Sequence, residues 1–228
     1  MASASDKKAK PGRSDKRSLQ TRERILKTAL ALFNEEGEAS VSLVDVASEL
    51  GISPGNLYYH YKGKEPLIEA LFEAFEVEIL TVLQAPEDRP LDLEDNWVFL
   101  YIIFEEIFDF RFFYLNLASI LERVPSLSTR MDRLMRAKQG AMVAVINQLE
   151  REGLIAMSDE QKRLVGRRSA LLFTFWLPQA ALTMEETKAA RIIHEGVYTI
   201  FSQLTPYMGD GAGEFEVLLK AFHDRVAG

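Results

Sequence analysis

The sequence predicts an all-α protein: an N-terminal three-helix unit with a helix-turn-helix, then a larger helical part. Three observations carry that prediction. Apolar residues recur at intervals of three and four along most of the chain, polar caps and glycines punctuate the runs, and the period-two alternation of strands is absent. No internal repeat is visible.

The elements follow in order. Residues 1–17 hold Lys7, Lys8, Lys10, Arg13, Lys16 and Arg17 among Ser and Ala, with Pro11 and Gly12, and contain no apolar face. They read as a disordered basic arm, with a solvated tail as the alternative. A first helix starts near Thr21, carries Ile25, Leu26, Ala29, Leu32 and Phe33, and stops at Gly37. Ser42, three residues before Asp45, suits a capping box for a second helix bearing Leu43, Val46, Ala47 and Leu50; Gly51 ends it. Ser53 then caps a third, with Pro54 at its first position, where a missing N–H costs nothing. The boundaries expected are 1–17 for the arm, 18–64 for the helix-turn-helix domain and 65–228 for the remainder. Within the remainder, helices are expected from about Glu65-Pro66 to the "APEDRP" break, then at 93–113, 116–122, 126–153, 159–182, 185–204 and 214–226.

In "GISPGNLYYHYKGK" the rings of a helix begun at Pro54 cannot all face one way. Leu57 and Tyr61, four apart, share the inward face, which leaves Tyr58, Tyr59 and His60 on the opposite arc. Packing of Tyr58 and Tyr59 against a fourth helix is the competing reading. The neighbours favour an outward role: Gly55 allows close backbone approach, Asn56 can bond a base edge, the hydroxyls of Ser42, Ser53, Tyr58 and Tyr59 suit phosphates or bases, and His60, Lys62 and Lys64 add donors and charge.

The run "TRERILKTALALFNEEG…VSLVDVASELGISPGNLYYHYKGKEPLIEALF" resembles the DNA-binding domain of TetR-family transcriptional regulators over about 55 residues. The match rests on Ser42, Ala47, Leu50, Gly51, Ile52, Ser53, Leu57, Tyr58, His60, Tyr61 and Lys64. The resemblance implies that Ser42, Tyr58, His60 and Lys64 grip phosphates, that Ser53, Pro54, Gly55, Asn56 and Tyr59 enter the groove, and that Tyr61 is buried. It also makes 65–228 a ligand-binding and dimerisation domain, pairing two copies through the helices at about 161–182 and 185–204. The partners implied are a double-stranded, palindromic DNA operator, a small apolar effector and a second copy. Within the family, the sequence beyond the reading head is similar to PhaD-type regulators of polyhydroxyalkanoate gene clusters, which implies an acyl or acyl-CoA effector. Release of a repressor is the commonest family mode; activation stays open.

Two stretches of the larger part fit those roles on their own chemistry. "SALLFTFWLPQAAL" is apolar around more of its circumference than one packed face requires, so something must cover it. "NWVFLYIIFEEIFDFRFFYLNL" is dense in rings, which line either a plain core or an apolar pocket. The candidate ligand residues are Phe104, Phe108, Phe112 and Tyr114, with Arg111 and Asn116 as polar anchors and Met131, Met135, Met142 and Trp176 as further lining.

Other classes find little support. The 228 residues include no cysteine, so thiolate chemistry and disulfides are excluded; His60, His194 and His223 form no ligand pattern, and "GDGAG" lacks the lysine of a phosphate loop. Glu105-Glu106 reads as a solvated or rim pair rather than an acid–base dyad. No cofactor, metal or enzymatic activity is expected. The strongest apolar window, 169–184, is broken by Pro178 and Gln179, which argues against a membrane span, and the lack of cysteine suits a reducing compartment, with the cytoplasm expected. The net charge of −7 divides unevenly: residues 1–64 hold 11 Lys+Arg against 8 Asp+Glu, the rest 16 against 26. Only the N-terminal part has the sign for a polyanion. A helical protein-interaction module is the alternative for the acidic part.

Overall fold

A computed structural model describes residues 13–84, 92–184 and 188–227. Eleven α-helices and no strand occur among them: α1 (Arg13–Leu32), α2 (Leu43–Glu49), α3 (Pro54–His60), α4 (Lys64–Val82), α5 (Leu93–Asp109), α6 (Arg111–Leu115), α7 (Leu117–Arg123), α8 (Leu127–Arg151), α9 (Asp159–Thr183), α10 (Ala189–Ser202) and α11 (Ala212–Ala227). No described helix is long and apolar enough to cross a membrane. The chain divides into two compact units at Leu71/Phe72, inside α4 rather than at its start, where the sequence placed the boundary.

In the first unit the local signals act as read. Helix α1 continues through a wider turn at Phe33–Gly37 and stops at Gly37, whose φ of 84° favours glycine. Its start differs from expectation: Arg13, Lys16 and Arg17 lie in its first turns rather than in a disordered arm, because Ser18 to Arg24 extend the same helix without a breaker. Lys7, Lys8 and Lys10 lie outside the described residues. Ser42 and Asp45 form the full capping box on α2. Leu50 closes that helix, Gly51 turns the chain at φ 65°, and the Ile52 N–H reaches back to the Ala47 carbonyl at 3.0 Å, a Schellman closure. Ile25, Ala29, Phe33, Val46, Ala47, Leu57, Tyr61, Leu67 and Ile68 are buried in this unit. Burial of a side chain such as Leu57 contributes about 1.5–3 kcal/mol.

The second unit packs α8 along α9 and sets α10 against α5, α9 and α11. Glycine permits the α8–α9 approach: a Cβ on Gly166 would stand 2.8 Å from Val143 and 3.1 Å from the Gln139 carbonyl. Rings fill the interior. Phe72, Phe75, Phe110, Phe113 and Tyr114 form one cluster with centroids 5.1–6.1 Å apart. Trp97, Phe201 and Phe215 form another, the first two stacked at 5.8 Å. Glu76 ties α4 to α8 through Arg130 Nε at 2.9 Å and through Arg133. Burial raises the pKa of that carboxyl, but the two guanidinium bonds outweigh it and hold it below the usual range.

The structure divides one predicted helix. The segment expected at 93–113 breaks at Phe110, where the backbone leaves helical geometry (φ −109°, ψ 34°), and α6 restarts at Arg111; a second break follows at Asn116. Helix α10 begins at Ala189, and the expected start at Glu185 lies outside the described residues, as does all of "APEDRP".

Candidate functional site

Helix α3 is seven residues long, too short to persist alone, and three local devices fix it. Ser53 Oγ accepts the Asn56 N–H at 3.2 Å, Pro54 presets the first turn, and Leu57 and Tyr61 anchor the inner face, with the Arg22 guanidinium 5.3 Å from the Tyr61 ring centroid. The outer face follows from that anchoring. Tyr59 is 77 % exposed and Tyr58 57 %, Pro54, Gly55 and Asn56 are exposed, and His60 is half-buried with its ring edge-on to Tyr59 at 5.3 Å. A Cβ at Gly55 would meet nothing within 4 Å, so internal packing does not require glycine there.

Two expected phosphate contacts are occupied inside the fold to different degrees. Ser42 is exposed, yet its hydroxyl donates to Asp45 Oδ2 at 2.7 Å. That bond, with the Ser42 N–H, holds the Asp45 carboxyl below its ordinary pKa. Lys64 departs further. Its ammonium donates to the Glu38 carbonyl, pairs with the Glu38 carboxylate at 3.0 Å and lies 5.5 Å from the Phe33 ring centroid. Glu38 is itself buried, so the Lys64 charge serves to balance it. The lysine clamps the start of α4 to the α1–α2 connection instead of projecting outward; Lys62 is exposed.

The candidates of the second unit separate into three groups. Phe104, Phe112, Tyr114, Met131 and Met142 are buried together in the core, and Met135 is half-buried beside it. Phe104 packs on Phe173 at 5.0 Å and against Gly196, where a Cβ would stand 2.7 Å from the ring. Trp176 is half-buried, donates to the Ile192 carbonyl at 2.7 Å, and borders an open groove of about 590 Å³ with Arg168, Leu171, Leu172, Phe175, Gln179 and Gln203. Arg111 and Asn116 bond the local backbone. Arg111 donates to the Phe108 carbonyl and covers the Phe108 ring at 4.8 Å, while Asn116 donates to the Phe112 carbonyl at 2.9 Å. Both bond carbonyls beside the helix breaks, and the Phe112 carbonyl also accepts the Asn116 backbone N–H at 3.1 Å.

The polar groups in the core are ones the sequence reading passed over. Lys138 is completely buried, and its ammonium donates to Tyr114 Oη at 3.0 Å and Thr174 Oγ1 at 3.1 Å. Burial pushes its pKa down to about 7. Burial also pushes the Tyr114 phenol well above its ordinary value, with the Glu106 charge adding to the effect. A signal was available: Lys138 occupies a position in the stripe Met131, Leu134, Ala141, Met142 and Val145 where α8 otherwise places apolar residues.

Among known families, the one described as "Bacterial transcriptional repressor" (TetR) matches residues 74–214, and "Bacterial regulatory proteins, tetR family" matches residues 25–71. The chain belongs to the TetR family. Among solved structures, a TetR-family regulator from Marinobacter aquaeolei VT8 is 27% identical with TM-score 0.80, covering 89% of this chain and 98% of that one. SmeT, the repressor of the Stenotrophomonas maltophilia multidrug efflux pump SmeDEF, shares the fold at 18% identity and TM-score 0.59, over 86% and 94% of the two chains. Among curated relatives, the regulator AcrR of Shigella flexneri is 38% identical over 60 residues, 26% of this chain and 28% of its own length. YerO of Bacillus subtilis, an HTH-type regulator, is 41% identical over 56 residues, 25% and 19%. These matches span roughly a fifth to a quarter of the curated relatives. The matched families and relatives are transcriptional regulators rather than enzymes.

Proposed function

We propose that this TetR-family chain is a ligand-responsive transcriptional regulator that binds a palindromic DNA operator as a homodimer. The observation that carries the reading is α3 itself: a capped and anchored recognition helix whose Tyr58, Tyr59, Asn56 and Gly55 project outward with no internal task. Helices of this kind read the major groove through their N-terminal residues while surrounding hydroxyls and cations hold phosphates. The assignment is that Ser53, Pro54, Gly55, Asn56 and Tyr59 approach the bases, and Ser42, Tyr58, His60 and Lys62 the phosphates. Lys64 supports the reading head from within.

Dimerisation is supported by the outer face of α9. Leu164, Leu171, Phe175 and Leu182 are exposed at spacings of seven, four and seven, a seam that a second copy covers, and the groove beside Trp176 adjoins it. Two copies related by a two-fold axis present two recognition helices, which is why the operator is expected to be palindromic. The effector is an apolar small molecule held in the ring-rich core, and similarity to PhaD-type regulators makes an acyl or acyl-CoA compound the first candidate. It acts by favouring one dimer arrangement. Moving the protein from almost wholly bound to almost wholly released requires about 5.5 kcal/mol of preference for the released form.

Selection of duplexes from a randomised pool, followed by anisotropy titration across salt concentrations, tests the assignment. Enrichment of a palindrome, with affinity falling steeply as salt rises, is expected. Retention of the same DNA by a Tyr58→Ala/Tyr59→Ala variant would remove these residues from the interface, and no enriched sequence would favour a protein-interaction module instead. Lys64→Ala is a poor probe, because it strands the buried Glu38 carboxylate and lowers stability together with binding.

A further inference from the structure

The core of the second unit contains a charge that no described carboxylate balances: beyond two hydroxyls, the Lys138 ammonium meets only the Tyr114 ring, 4.7 Å from its centroid. Lys138 stands on the apolar stripe of α8, completely buried, and both of its hydrogen-bond partners are neutral hydroxyls, Tyr114 Oη from α6 and Thr174 Oγ1 from α9. Thr174 in turn donates to Met135 Sδ at 2.9 Å, so its single proton is committed. Among the described residues no carboxylate pairs with Lys138, and burial alone accounts for its lowered pKa. An ammonium has three N–H donors and two are used; the Tyr114 O–H likewise has no described acceptor. Two unfilled donors, one on a cation, converge from separate helices where an apolar side chain would otherwise pack.

Buried cations are paired or they are costly, and functional sites are where such unpaired, perturbed groups concentrate. We propose that Lys138 and the Tyr114 hydroxyl form the anion-recognising end of the effector site, receiving the carboxylate of an amphipathic acid whose apolar body is accommodated by the ring-rich helices α5, α6 and α9. This deepens, and rests on, the reading of the second unit as the home of an apolar effector. It narrows the class to molecules with a free carboxylate. In a thioester the acyl carbonyl carries no such charge, so acyl-CoA loses its first place to the free acid. The bound carboxylate supplies the missing acceptor for both donors and restores full charge to Lys138.

Titration calorimetry of the full chain with straight-chain carboxylates and the matching 1-alcohols, from six to sixteen carbons, tests the proposal, alongside thermal melts without ligand. At the best chain length the carboxylate should bind about tenfold or more tighter than the alcohol, as a desolvated charge-assisted pair allows. Lys138→Met should abolish that preference while leaving the alcohol within about threefold, and should melt above the unliganded parent because it removes a buried charge from an apolar position. Tyr114→Phe should weaken only the carboxylate. Equal binding of acid and alcohol by the parent chain, or undiminished acid binding by Lys138→Met, would overturn the anion site and leave the apolar effector reading standing. A Lys138→Met protein that melts lower would show the ammonium to be a structural group and overturn it as well. Failure of every acid and every alcohol to bind would overturn the effector reading itself, and this proposal with it.

Discussion

Two stretches of this chain are equally crowded with rings and have opposite fates. "YYHY" at 58–61 ends a seven-residue helix, while "FRFFYL" at 110–115 forms the bent segment of the second unit. In the first, only Tyr61 goes in and Tyr58 and Tyr59 stand in solvent; in the second, Phe110, Phe112, Phe113 and Tyr114 are all buried. Ring chemistry does not account for the difference, since tyrosines appear on both sides of it. What differs is supply of neighbours. A short helix on a small unit has one face to bury, and Leu57 with Tyr61 fills it. The segment at 110–115 is enclosed by α4, α8 and α9, and its break at Phe110 lets consecutive residues reach different neighbours.

That comparison can be broken most forcefully in the core. Phe104→Ala, which empties the space against Phe173 and Gly196, should lower stability by about 3–5 kcal/mol, read as a fall in denaturation midpoint. A change under about 1 kcal/mol would mean that the ring lines free space rather than a packed interior. The outer rings should respond in the opposite sense: Tyr58→Ala/Tyr59→Ala should leave the midpoint within about 0.5 kcal/mol while weakening operator binding by at least about tenfold. Parallel losses of stability and binding would instead place those rings in the packing.

Smaller effects sharpen the picture of α3. Ser53→Ala removes the cap on Asn56 and should cost about 1 kcal/mol by chemical denaturation, with DNA affinity falling because the helix start frays. Gly55→Ala separates fold from function at one atom: with open space around the added methyl, it should stabilise by about 0.5–1 kcal/mol and weaken DNA binding. A gain in stability with unchanged affinity would take the Gly55 backbone away from the duplex.

The last expected effect is electrostatic and is confined to one pH window. Burial, then the nearby Glu78 and Asp109 charges, push the Glu106 pKa up to about 7. The folded form therefore holds this proton where the unfolded chain has lost it, and stability falls as pH rises from about 4.5 to about 7. Glu106→Gln should melt higher than the parent chain above pH 7, with the difference shrinking to nothing as pH drops through that window. A constant offset across the range would assign the effect to packing.

The sequence by itself determined the reading head, because everything that builds it is local. Ser42 caps Asp45 and Ser53 caps Asn56 three residues on, Gly51 turns the chain, and Leu57 with Tyr61 select the inner face by their spacing of four. Within the second unit, the helical period likewise placed most helices, and the excess of apolar residues on α9 was legible as a face needing cover. The functions of the cations were not. Lys64 meets Glu38 across 26 residues, and Lys138 meets Tyr114 and Thr174 across 24 and 36. Arg111 and Asn116, polar residues inside a ring-rich run, read as anchors in the sequence, and in the fold they bond the Phe108 and Phe112 carbonyls beside the breaks. A charge declares its partner only when distant segments are brought together, and only then does burial decide whether it is balanced, as at Lys64, or left waiting for a counter-charge, as at Lys138.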